Sequence, residues 1–131
     1  MESRWKVLIV VSVAVFMANL DLFIVNVAFP DIQREFADAT VATTSWVLNV
    51  YAIVVAALLV PAGRLADLGG RRRAFLGGVL LFLVGSALCG VAPSIAALIA
   101  ARVIQATGAA LLLPAALALL LVAFPPWQLA Q

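Results

Sequence analysis

Gly63-Arg64-Leu65-Ala66-Asp67-Leu68-Gly69-Gly70-Arg71-Arg72-Arg73 is short, strongly basic and set between two long apolar runs. Five of these eleven residues are charged in a chain that is 11% charged overall, so charge is concentrated here and nearly excluded from the flanks. Arginines gathered between hydrophobic stretches read as a cytoplasmic loop, because short loops rich in Lys and Arg stay inside. Gly63, Gly69 and Gly70 tolerate backbone conformations that side chains forbid, which predicts a tight, shaped turn across 63–73.

Working outward, composition sets the class. The chain of 131 residues is 66% hydrophobic with a mean hydropathy of +1.21. That is far above the apolar share of soluble domains. The length accommodates about four spans of ~20 residues with their connections. The net charge of +2 comes largely from the one arginine cluster, which predicts contact with the headgroups of a lipid bilayer and not with nucleic acid. Cys89 is the single cysteine and His is absent, so neither a disulfide framework nor a metal centre is expected. No nucleophile–base pair and no cofactor loop is present, so neither a soluble enzyme nor a cofactor is expected.

The apolar runs predict helices over about 7–27, 45–62, 74–92 and 94–124, an all-α integral membrane bundle. Arg4 and Lys6 precede the first run, which is too long for a signal peptide and is not closed by a small-x-small cleavage site. Asn19 and Asn26 share one stripe of that helix while Asp21 points nearly the opposite way, so both faces need protein or a water-filled cavity. Residues 30–44 form an acidic external loop in this reading. Trp46 opens the second helix at the interface, and Pro61 closes it. Gly78 with Gly85, and Ser86 with Gly90, are small residues suited to close helix packing. The fourth run is ~46 Å long if wholly helical, so a tilt or a kink at Pro114 is expected. Within it, Arg102, Gln105 and Ala109 fall on one face, with Arg102 turned into the bundle.

Three motifs carry a resemblance. Gly63-x-Leu65-Ala66-Asp67-x-x-Gly70-Arg71-Arg72 resembles the signature loop between the second and third helices of the major facilitator superfamily; Leu68 stands where that pattern places a base. Leu20-Asp21-Leu22-Phe23-Ile24-Val25-Asn26-Val27-Ala28-Phe29-Pro30 resembles the first-helix motif of the drug:proton antiporter branch with about fourteen helices. There Phe23 replaces a threonine and Phe29 a leucine. Arg102-x-x-Gln105-x-x-Gly108-Ala109-Ala110 resembles the fourth-helix motif of proton-coupled facilitators.

The resemblance implies the first four helices of a major facilitator fold in the cell membrane, with both termini cytoplasmic. It implies proton-coupled efflux of drugs or amphiphiles by a larger transporter of which this chain is a truncated part. Its implied partners are a small-molecule substrate, protons and the remaining helices. Asp21, Asn26, Arg102 and Gln105 become the expected proton-coupling or cavity residues, and Gly63, Asp67, Gly70, Arg71 and Arg72 the conformational-switch loop. A different class also fits four spans: a self-contained small multidrug carrier acting as a dimer, with an acidic residue in its first helix. A non-transporting membrane subunit is a third reading. The arginine-rich loop and Arg102 weigh against both. The tilt of depth is also readable: Asp21 and Arg102 each lie about seven residues, ~10 Å, from the ends of their helices near Ala28 and Ile95, and are expected to pair.

Overall fold

The computed structural model describes residues 2–37 and 39–125. Asp38 in the expected external loop and the uncharged stretch 126–131 lie outside the described residues. Four helices follow one another: α1 (Glu2–Glu35), α2 (Val41–Gly69), α3 (Arg71–Gly90) and α4 (Ile95–Ala123). All four are long and apolar enough to cross a membrane, as the composition predicts.

The helices are longer and their connections shorter than the sequence suggests. Pro30, Pro61 and Pro114 all lie inside helices. Pro61 therefore does not close α2, and the 30–44 loop shrinks, because α1 continues to Glu35 and α2 begins at Val41. In hydrocarbon an unpaired backbone group costs several kcal/mol, so the ladder persists through proline, where neighbouring helices re-satisfy the freed groups. The 63–73 segment changes most: it is the end of α2 and the start of α3, joined through Gly70 alone. Gly70 has φ +100°, the one residue in the positive region among those described, and its N–H closes on the Ala66 carbonyl at 3.1 Å. Gly63 and Gly69 are helical, so only Gly70 needs a glycine for its backbone conformation.

Start signals are clear at two helices. Thr40 and Thr43 form a reciprocal capping box at α2, and Ser94 accepts from the Ala97 N–H at α4. Trp46 stands exposed in the first turns of α2, where an interfacial tryptophan belongs.

α4 is the central helix: α3 packs along it most extensively, then α2, then α1. The α3–α4 crossing depends on bare backbone. A Cβ on Gly78 would stand 2.7 Å from the Leu112 nitrogen and 2.8 Å from the Gly108 carbonyl oxygen, and one on Gly85 only 2.6 Å from the Gln105 nitrogen. Gly108 faces Gly78 and Phe82 from the other side. Two helices can approach this closely only where a glycine leaves the backbone bare at the contact. Ser86 and Gly90, the other expected small pair, are exposed and take no part in the crossing.

Substituting Gly108→Val is expected to destabilise the bundle by about 1–3 kcal/mol through overpacking. Gly77→Ala, which meets nothing within 4 Å, should stay within ~0.5 kcal/mol of the parent. Denaturant titration of the purified protein in mixed micelles distinguishes them; equal shifts would mean the crossing does not require glycine.

Candidate functional site

Two apolar clusters divide the bundle. One contains Val11, Ala14, Ala18, Tyr51 and Ala106; the other contains Val47, Ile95 and Leu98, with Val25 packed against it. Asp21, Arg102 and Gln105 sit between them in sequence and in space. Along α1 the inward positions recur as Val11, Ala14, Ala18, Asp21, Val25 and Ala28, so Asp21 occupies a core-facing place in an otherwise apolar stripe.

Arg102 is 1% exposed. Its Nη1 donates to the Asp21 carboxylate, forming an ion pair across α1 and α4, and also to Gln105 Oε1 at 2.7 Å. Its Nε donates to the Val47 carbonyl of α2 at 3.1 Å. Gln105 Nε2 donates to Asp21 Oδ1 at 3.0 Å, so the carboxylate is held by two residues one turn apart on α4. The guanidinium lies over the Tyr51 ring, with Cζ 4.3 Å from the centroid. Cys89 of α3 completes the surround, its Sγ donating to Gln105 Oε1 at 3.7 Å. All four helices thus reach one polar cluster in the middle of an apolar protein.

The arrangement is uneven in access. The Asp21 side chain is 17% exposed while Arg102 is shut in.

The expected pairing of Asp21 with Arg102 is therefore present in the geometry, and Gln105 joins it. Asn26 does not: it is exposed, and its Nδ2 donates to the Leu22 carbonyl of its own helix at 2.7 Å. Asn19 does the same to Val15 at 2.8 Å. Both asparagines satisfy themselves locally on the outward face, two turns apart, while Asp21 turns inward. The α2–α3 residues are elsewhere. Gly63 packs near Pro114, 3.5 Å from a notional Cβ; Asp67, Arg71 and Arg72 are exposed at one end of the bundle. No ion pair joins Asp67 to these arginines among the described residues. Sequence reading assigned no role to Tyr51, the Val47 carbonyl or Cys89. The i, i+4 spacing of Val47 and Tyr51, which puts them on one face, was the available signal.

The sequence model of the Major Facilitator Superfamily matches residues 11–131. The chain is 49% identical over 124 residues to the multidrug resistance protein Stp of Mycobacterium tuberculosis, covering 95% of this chain and 23% of that protein. It is 43% identical over 125 residues to the tetracenomycin C resistance and export protein of Streptomyces glaucescens, with coverage of 95% and 23%. To the riboflavin transporter RibZ of Clostridioides difficile it is 36% identical over 125 residues, with coverage of 95% and 27%. The chain thus spans about a quarter of the length of the curated relatives it matches. No solved structure matches it.

Breaking the pair from one side leaves a buried charge without its partner. Asp21→Leu is expected to cost about 3 kcal/mol or more, and adding Arg102→Leu should restore over half of that loss. Unfolding of the single and double variants checks it. A double variant worse than the single would show that Arg102 is not stranded when Asp21 is removed.

Proposed function

The chain belongs to the major facilitator superfamily, and on that premise we propose that it forms the N-terminal part of an exporter that expels drugs or small amphiphiles at the expense of a proton gradient. Relatives named for multidrug resistance and for antibiotic export support the substrate class. Their length, about four times that of this chain, favours a larger transporter over a self-contained four-helix carrier. The observation that carries the mechanism is the Asp21–Arg102 pair with its one partly exposed partner.

In this mechanism Asp21 is the proton carrier. With the carboxylate ionised, Arg102 and Gln105 clamp α1 onto α4. Proton uptake at the carboxylate cancels the ion pair and loosens α1 from α4, which shifts the balance between inward- and outward-open states. Proton release on the other side restores the clamp. Asn19 and Asn26 line the outward face of α1, where they meet the substrate cavity or helices of the rest of the transporter.

The basic end of the bundle faces the cytoplasm of a bacterial-type cell membrane, with both termini inside. Trp5 packs edge-to-face on Phe124 at 5.8 Å, bringing the start of α1 and the end of α4 together. Arg64, Arg71, Arg72 and Arg73 lie at the α2–α3 junction on that same side, beside Lys6, since Lys6 and Arg72 line one groove. Positive charge at one end sets that end inside. There Asp67 and the arginines around Gly70 latch this half of the transporter against its other half, opening and closing as access alternates. Their exposure in this chain supports such a role.

In the complete transporter, Asp21→Asn is expected to bring proton-driven ethidium efflux from cells to background while leaving membrane insertion at parental levels. Efflux equal to the parent's would remove Asp21 from the coupling mechanism. Separately, a cysteine at position 72 in a Cys89→Ala background should react with an impermeant thiol reagent only after the membrane is opened. Labelling from outside intact cells would invert the topology.

A further inference from the structure

We infer that Tyr51 is a positioning residue that keeps the Arg102 guanidinium seated between α2 and α4 whether or not Asp21 carries its charge. The inference rests on the reading of Asp21 as the proton carrier.

The sides of the guanidinium are occupied unequally. The Nη1 side is committed to Asp21 and Gln105, and the Nε side to the Val47 carbonyl. Nη2 is buried and has no hydrogen-bond partner among the described residues. The planar face rests on the Tyr51 ring at 4.3 Å. Tyr51 is itself 4% exposed, so water does not compete for the ring. A cation over a desolvated aromatic face is attracted by the ring quadrupole.

Two of these contacts come from α2, and they lie one turn apart at Val47 and Tyr51. Neither changes its charge when Asp21 is protonated. Protonation removes the Coulombic attraction on the Nη1 side and leaves a buried cation with one bare nitrogen, a costly state unless something else holds it. The ring supplies that hold. α1 is then released alone, while Arg102 stays on α2 and is ready for the returning carboxylate. The titratable groups facing the guanidinium are Asp21 from α1, Tyr51 from α2 and, through Gln105, Cys89 from α3. Tyr51 is buried and Cys89 reaches the guanidinium only through Gln105, so Asp21, which bonds it directly, is read as the proton carrier.

The two supports are redundant, and redundancy has a signature. If ring and carboxylate both hold one cation, losing either is tolerated better than losing both; if Tyr51 merely fills space, its loss is the same in either background. The test is thermal unfolding of the complete transporter in lipid nanodiscs, with Tyr51→Phe and Tyr51→Leu each made alone and with Asp21→Asn. Tyr51→Leu is expected to lower the melting midpoint about twice as far in the Asp21→Asn background as in the parent. Tyr51→Phe, which keeps the ring face, should match the parent in both. Tyr51→Met replaces Tyr51→Leu if the latter does not accumulate, and the same difference is expected. Equal shifts in the two backgrounds, or Tyr51→Phe behaving as Tyr51→Leu, would overturn the role of Tyr51. Undiminished proton-driven efflux by Asp21→Asn would instead overturn the reading on which it rests.

Discussion

A guanidinium in the middle of an apolar helix has to find its partners within the protein, and the rest of the bundle is arranged around that need. Arg102 is supplied with a carboxylate from α1, an amide oxygen from its own helix, a carbonyl from α2 and an aromatic face from α2. Either charge alone in lipid would cost several kcal/mol. Together they fix which face of α1 meets α4 and at what level, since sliding either helix by a turn would strand both. Apolar packing in a membrane has no comparable preference, because lipid tails are as good a neighbour for leucine as another leucine is.

The glycines bring the remaining helix to the same place. Gly85 lets α3 approach the α4 backbone at Gln105, where a Cβ would meet the nitrogen at 2.6 Å. Gln105 in turn donates to Asp21 and accepts from Arg102 and Cys89. Close backbone packing on one side of α4 and ion pairing on the other are therefore linked through a single side chain. Gly70 does the equivalent work at the bundle's end, where one positive-φ residue replaces a loop and keeps the arginines of α3 directly beside the end of α2.

The sequence revealed the class, the four spans and the Asp21–Arg102 pair, because charged residues in apolar runs are few and their depths can be counted. It was less informative about boundaries. Proline at 61 reads as a stop in water, yet α2 passes through it, since leaving the helix in hydrocarbon is worse than losing one hydrogen bond. The expected 63–73 turn shortens to Gly70, because one residue of positive φ reverses the chain between two helices. The first-helix motif groups Asn26 with Asp21, although its stripe is opposite, and the fold leaves it bonded to its own backbone. The spacing of Val47 and Tyr51 puts them on one face of α2 but does not say what that face meets, because the contact that defines Tyr51 joins residues fifty-one positions apart in the chain. Pairing across that separation is a property of helix packing and leaves no local pattern.

The central claim, that Asp21 and Arg102 form a proton-responsive clamp and not only a structural tie, is tested most directly by exchanging the two charges. Asp21→Arg with Arg102→Asp in the complete transporter would be assayed for folded yield and for proton-driven ethidium efflux. The account predicts that yield recovers above that of either single variant while coupled efflux stays lost, because the carboxylate then sits where Arg102 is shut in, away from the exposed side of the pair. Recovery of coupled efflux along with yield would contradict it and leave the pair as a structural tie alone.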